Sequence, residues 1–290
     1  MKVLKKQDWF HSDGFPVVVE RRDPQEPFGL HCHEFSEIVI ITGGTGVHIT
    51  GEDRYELQTG DTFVIGGDRP HDYLNMNQLS LINILFDPNE LPMNVGDLQS
   101  LSGYHALFTL EPAWRKRHQF TSRLQLRPVE IADAIELVDK LDRELTSRRA
   151  GFGVMAIATM LEIVTFLSRC YSETGNPTSK TLIQVGETIA YMRRNYAQSI
   201  SLEEMVAMSG MSRTNYLRMF ETTVGTSPIN YLIGLRIDEA SQRLRETNQS
   251  VTQIALDVGF SDSNYFSRQF RKVCGQSPRD YRKQNLSARA

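Results

Sequence analysis

A chain of 290 residues is long enough for two ordinary domains with separate cores, and 40% hydrophobic with 23% charged residues excludes a disordered chain. The net charge of −3 hides a division, because from Ser179 onward fifteen Lys and Arg stand against ten Asp and Glu, giving +5 there and leaving −8 for the rest. A basic end on an acidic body suits a nucleic-acid-binding module joined to something of a different kind.

The opening MKVLKKQDWF has charges but no apolar core behind them, so no secretory signal is expected. Cys32, Cys170 and Cys274 are odd in number and share no spacing, which argues against a disulfide framework and suits the cytoplasm. The most apolar run, Gly151 to Leu167, is shorter than the roughly 20 residues of a bilayer span and carries Glu162. It reads as a buried or dimer-facing helix, and no membrane partner is expected.

Val17 to Glu20 reads as a first strand. From Phe28 to Phe86 short β-rich runs recur, EIVIIT, GVHIT, RYELQ, DTFVI and LSLINILF, separated by GG, GED, GD and the Gly66 to Pro70 cluster. That even spacing predicts an antiparallel barrel or jelly roll. Inside it lie His31, His33 and Glu37 in HCHEFSE, then His71 in GDTFVIGGDRPHDYLN. Alternate side chains of a strand share a face, so His31, His33, Phe35 and Glu37 point one way, as do His71, Tyr73 and Asn75. Three imidazoles and a carboxylate can hold a divalent transition metal, the one cofactor the residues suggest. They can equally hydrogen-bond the hydroxyls of a sugar, or serve the structure alone. No independent acid, base or nucleophile is identifiable nearby, so an enzyme is not expected.

Asp87 to Pro128 is irregular, and its basic patch WRKRH, Trp114 to His118, reads as a solvated loop. After Pro128 helical periodicity sets in: Ile131, Ile135, Val138, Leu141 and Leu145 make one stripe, and Val154 to Tyr171 a second, more apolar helix. These two helices form a dimer interface or cap the barrel. SETGNPTSK, Ser172 to Lys180, is polar with Gly and Pro and reads as a linker. The expected organisation is a domain over 1–172, a linker over 173–180 and a second domain over 181–290.

Within 181–290 a single pattern runs twice, from Leu202 to Tyr231 and from Val251 to Tyr281. Gly210 pairs with Gly259 and Ser212 with Ser261 at an offset of 49. Phe220 with Phe270, Gly225 with Gly275, Pro228 with Pro278 and Tyr231 with Tyr281 stand 50 apart, so the second copy has one extra residue, expected just after its serine. Each copy reads as helix-turn-helix, with a short apolar helix, a glycine able to turn left-handed, and a serine capping the next helix. Tyr216 with Phe220, and Phe266 with Phe270, form inward stripes. Arg213, Thr214, Leu217 and Arg218 are then left outward on the first recognition helix, and Asp262, Asn264, Ser267 and Arg268 on the second. Such side chains read base edges in a major groove, while Arg271 and Lys272, further along, suit phosphate. Ile229 to Glu246 reads as one continuous helix of about 27 Å, a spacing that lets two modules reach successive major-groove segments about 34 Å apart.

The segment from Thr181 to Arg282 resembles the tandem helix-turn-helix domain of the AraC family of bacterial transcription regulators. GFSDSNYFSRQFRK, followed by GQSPRDYR, matches that family's signature, and Arg236, Ala240 and Leu244 fit its linker helix. Val206 departs from it, since a small residue is usual there. Upstream, HxHxxxE, Gly44, Gly60, His71 and Asn75 resemble the two cupin motifs, from which Gly66 and Asp68 depart. FGLHCHEFSEIVIITGGTGVHI with GDRPHDYLNMNQLSLINILF resembles the sensor of the rhamnose-responsive branch, whose barrels take an L-sugar. The resemblance implies a two-domain α+β protein, with a cupin-like barrel and helical dimerisation layer followed by an all-α tandem helix-turn-helix domain. It implies a transcription activator of carbohydrate-utilisation genes that binds a sugar effector, double-stranded DNA and RNA polymerase as a homodimer. The alternatives are a cupin metalloenzyme with an accessory DNA-binding domain, and a metal sensor.

Overall fold

Strand β4, Ser36–Thr50, is the spine of the N-terminal sheet in the computed structural model, which describes residues 1–93, 95–110, 112, 124–173 and 177–287. One edge of β4 is covered along its length by β7, Asp72–Phe86. The other edge pairs first with β6, Asp61–Ile65, and then with β5, Asp53–Gln58. β2, Val17–Arg22, adds to β7, and β8, Leu124–Gln125, adds to β6, so six strands make one antiparallel sheet. A second, two-stranded sheet pairs β1, Lys2–Leu4, in parallel with β3, His31–His33. Its connector carries the short helix α1, Lys6–Trp9. This is the β-rich domain that the run of short strands predicts, of the cupin-like kind that the resemblance implies.

One expected turn is absent from the sheet. EIVIIT and GVHIT both belong to β4, and the Gly43–Gly44 pair between them sits at a bulge, where the pairing with β7 shifts register three times between Ile41 and Val47. Gly44 has φ +69°, and a Cβ there would lie 2.0 Å from the Gln78 carbonyl oxygen. Across the bulge, Asn75 and Gln78 take φ of 48° and 49°. The chain therefore bends and continues, because a bulge turns a long strand without ending its ladder. Val39, Ile41, Leu57, Phe63, Ile65, Tyr73, Leu79 and Leu81 pack into one apolar cluster of this sheet.

The stretch after Asp87, read as irregular, contains helical turns at Leu98–Ser100 and from Ser102 to Leu110, where Tyr104, Ala106, Leu107 and Leu110 are buried. The basic patch Trp114 to His118 lies outside the described residues. Two long helices follow, Pro128–Ser147 and Phe152–Ser172. The helix expected over Val154 to Tyr171 is found as Phe152–Ser172, and at 21 residues it is by length and composition alone enough to cross a bilayer. In the fold it buries Ala156, Met160, Ile163, Val164, Leu167 and Tyr171. The first helix buries Ala134, Val138, Leu141 and Leu145, with Ile131 and Ile135 half-buried. The linker expected over 173–180 is corrected in its second half: Pro177–Lys180 begins a helix, Pro177–Asn195. Proline costs nothing at a helix start, where its N–H would have no intrahelical acceptor, and Ser179, Leu182 and Val185 are buried. The chain divides into two compact units after Gly186, inside this helix, at Met1–Gly186 and Glu187–Ala290.

The second unit is helical. Leu202–Ser209 (α2 in the numbering used from here) and Arg213–Val224 (α3) form the first helix pair, Pro228–Glu246 (α4) follows, and Val251–Asp257 (α5) with Ser263–Cys274 (α6) forms the second pair, before Pro278–Ser287 (α7). α4 buries Ile233, Ile237, Ala240 and Leu244 against Ile254, Ala255, Val258, Phe260, Phe266 and Phe270. Val206, at the position of Ala255, is half-buried where the alanine is fully buried, so the larger side chain is left at the rim.

Gly44→Ala is expected to destabilise the protein by more than about 2 kcal/mol, since it adds a strained left-handed residue to a backbone clash. Urea unfolding followed by circular dichroism measures it; an unchanged midpoint would mean that the bulge tolerates a side chain.

Candidate functional site

Register places the cleft residues. Across β2, β7 and β4, Val18, Leu85 and Glu37 stand in one row, and Glu20, Asn83 and Val39 in the next. Directly opposed residues of neighbouring strands share a face, so Glu37, Asn83 and Glu20 look into one space. His31 and His71 enter it from a two-way backbone bridge, 3.1 Å from His31 N to His71 O and 2.8 Å in return. The result is a cleft lined by His31, His33, Glu37, His71, Tyr73, Glu20, Arg22, Gln25 and Asn83, with Leu4, Trp9, Phe28, Phe35 and Leu85 as its apolar wall.

The imidazoles are oriented by backbone carbonyls. Nδ1 of His33 donates to Phe35 O at 2.5 Å and Nδ1 of His71 to Arg69 O at 3.1 Å. A carbonyl can only accept, so Nδ1 carries a proton in both rings, and Nε2 presents a lone pair wherever the ring is neutral. Both Nε2 atoms face the same oxygen, Glu37 Oε2, at 3.2 Å from His33 and 3.6 Å from His71. Burial pushes the His71 pKa down to about 4, with His31 and His33 adding to the effect and Glu37 opposing it. At neutral pH His71 is therefore uncharged.

Two expectations need correction here. His31 lines the cleft but stands outside the group of converging ligand atoms, which His33, Glu37 and His71 form within 4.8 Å of one another. Its Nδ1 is 2.8 Å from Gly29 O, and its ring lies between Phe28 and His71, with centroids 4.7 and 4.2 Å away. Asn75 is exposed and outside the cleft, because the β7 bulge breaks the two-residue alternation between Tyr73 and Asn77. Conversely, Glu20, Arg22, Gln25, Asn83, Trp9 and Phe28 were missed. Asn83 had a signal, a lone amide inside the apolar run LSLINILF, and its Oδ1 is buried without a hydrogen-bond partner among the described residues. His48 was missed too; its buried ring sits 5.8 Å from that of His71.

In the second unit, α3 exposes Arg213, Thr214 and Arg218 and half-exposes Leu217, while α6 exposes Asn264, Arg268, Arg271 and Lys272. Arg213 pairs with Glu203 at 2.9 Å, and Arg218 donates to Asn215 at 2.9 Å. Such exposed contacts are weak enough to be exchanged for others. Ser267 is half-buried and donates to Ser263 O at 2.8 Å. Tyr265, 39% exposed with the Arg268 guanidinium 6.0 Å from its ring, adds an aromatic to this face that the sequence reading omitted.

The turns of the two helix pairs differ from expectation. Ser212 caps α3, but the cap of α6 is Asp262 rather than Ser261, accepting from Asn264 N at 2.9 Å and Tyr265 N at 3.1 Å. The extra residue of the second copy thus lies before the cap, in the turn, where Phe260 is buried between Phe266 and the Arg236 side chain. Capping also moves Asp262 from the reading face into a structural role.

Residues 16–137 match the family described as AraC-like ligand binding domain, and residues 205–284 match a helix-turn-helix domain family. The HTH-type transcriptional activator RhaR of Enterobacter sp. (strain 638) is 29% identical, with 99% of this chain and 98% of that protein aligned. RhaR of Cronobacter sakazakii (strain ATCC BAA-894) is 30% identical, over 97% of this chain and 96% of its own. Among solved structures, an AraC-type regulator from Chromobacterium violaceum is 32% identical over 35% of this chain and 91% of its own, with a TM-score of 0.34.

Asp262→Ala is expected to cost about 0.5–2 kcal/mol of stability, and Asp262→Asn to restore most of it, as for other helix N-caps. Denaturant unfolding of the two variants measures this. Altered base preference at unchanged stability would return Asp262 to the reading face.

Proposed function

The chain belongs to the AraC family of transcription regulators, and on that premise we propose that it activates carbohydrate-utilisation genes in response to a sugar held in the histidine cleft. The wall of that cleft carries the reading. Directional polar groups (His31, His33, Glu37, Glu20, Arg22, Asn83) alternate with Trp9, Phe28 and Phe35, which suits a polyol whose hydroxyls exchange hydrogen bonds while its C–H face lies on apolar rings. The names of the RhaR relatives support an activator, and the resemblance of HCHEFSE and its surroundings to the rhamnose-responsive branch supports an L-rhamnose-like effector. DNA is read by α3 and α6, and the effector acts by shifting population between states of different DNA affinity. The chain works in the cytoplasm as a homodimer that touches RNA polymerase, and it is not an enzyme.

The experiment is a thermal-shift series on the whole protein with L-rhamnose and other hexoses. A sugar bound only by the native state stabilises it by about 2.7 kcal/mol at a hundred times its Kd. Asn83→Ala and Glu20→Ala should each weaken that binding by about 1–3 kcal/mol, the cost of an unpaired buried polar partner. No stabilisation by any sugar, or turnover of one, would overturn the reading.

One observation favours a second reading for the same cleft. The Nε2 atoms of His33 and His71 converge on one carboxylate oxygen, and each imidazole is braced through Nδ1 by a carbonyl, the arrangement that orients histidine ligands to a metal. Among the described residues His33, Glu37 and His71 would hold a divalent transition metal, which would supply a Lewis-acidic anchor for hydroxyls. Elemental analysis of purified protein, with chelation and with His33→Ala, Glu37→Ala and His71→Ala, tests it. All three variants should lose the metal together, and metal-free protein with ordinary sugar binding would sink this reading alone.

A further inference from the structure

The two helix pairs are built alike but charged differently. α3 and α6 both end on a left-handed glycine, Gly225 and Gly275, and both are followed by serine and proline, so their residues correspond at an offset of 50. On α6 the exposed face carries Arg268, Arg271 and Lys272. On α3 the same three positions hold Arg218, Glu221 and Thr222. The pair from Leu202 to Val224 has two cations against three carboxylates, and the pair from Val251 to Cys274 has three against two.

Glu221 is exposed and follows Thr214, Leu217 and Arg218 by seven, four and three residues, which sets it on the same face of α3. Arg271 follows Asn264, Ser267 and Arg268 by the same steps. A guanidinium at this position gains from any phosphate within reach, whatever the sequence. A carboxylate there is repelled by phosphate and gains only from a base edge that offers a donor, chiefly the cytosine N4 amino group.

We propose that Glu221 is a specificity-determining residue of the first helix pair. α6 grips the backbone through Arg271 and Lys272, while α3 is held off DNA that presents no amino donor opposite Glu221. The inference rests on the reading of α3 and α6 as the DNA-facing helices. It divides labour between two modules that the repeated sequence pattern makes look equivalent.

The test uses the full chain with Glu221→Gln, Glu221→Arg and, as the reciprocal change, Arg271→Glu. Duplexes are selected from a randomised pool by the unaltered chain and by Glu221→Gln, and affinity for mixed-sequence duplex is measured against salt. Glu221→Gln should raise affinity for the mixed duplex about three- to tenfold at low salt, by removing one like-charge repulsion. It should also lose the preference for cytosine at one position of the selected site. Glu221→Arg should steepen the plot of log K against log salt by about 0.9, the value of one added phosphate contact, and Arg271→Glu should flatten it by at least as much. Identical selected sites for the unaltered chain and Glu221→Gln, with equal mixed-duplex affinities, would overturn the proposal while leaving DNA binding in place. If the unaltered chain retards no duplex even at low salt, the DNA-facing reading falls and the proposal with it.

Discussion

The pairing of β4 with β7, fifteen residues each, is the constraint on which the N-terminal unit depends. Register along this ladder sets which side chains share a face, and a slip of one residue between the two strands would put Glu37 and Asn83 on opposite faces of the sheet. The bulge at Gly43–Gly44 divides the ladder into two stretches of different register. The stretch beyond it turns Tyr73 inward and Asn75 outward, so one irregularity both bends the strands and chooses which residues face the ligand space.

The polar chemistry of the cleft follows from how tightly its members are held. Each of the three imidazoles in its wall has Nδ1 within hydrogen-bond distance of a backbone carbonyl two residues away in sequence, so its ring plane is set by the local chain. Burial keeps His71 neutral, and a neutral ring with a fixed tautomer is a directional acceptor. Such an acceptor facing a carboxylate suits a hydroxyl that donates to it, or a cation that both can ligate.

In the second unit the long helix α4 does the corresponding work. Its inward stripe fills the core of the second helix pair, and the Arg236 guanidinium donates to Tyr196 O and Gln198 O, both at 2.7 Å, closing the chain that precedes α2 onto it. Because both helix pairs hang on buried aromatics and end on a left-handed glycine, Gly225 or Gly275, their exposed faces are free to differ. Selection can then alter charge on α3 or α6 without disturbing the core, and the contrast between Glu221 and Arg271 is such a difference.

What the sequence by itself determined was the set of elements and their punctuation. The doubled glycine, serine and proline pattern located both helix pairs, Tyr216, Phe220, Phe266 and Phe270 proved to be their buried residues, and HCHEFSE with His71 marked the cleft. These signals are local, since capping, periodicity and turn chemistry act over a few residues. What only the tertiary structure decided was which side chains meet. Glu20 and Asn83 are 63 residues apart and come together through strand register, Asn75 leaves the cleft through a bulge that no local propensity announces, and Asp262 takes the cap from Ser261 because buried Phe260 occupies the extra position of the turn. Register, bulge and cap choice are settled by contacts between distant segments, and a linear pattern carries only one side of each contact.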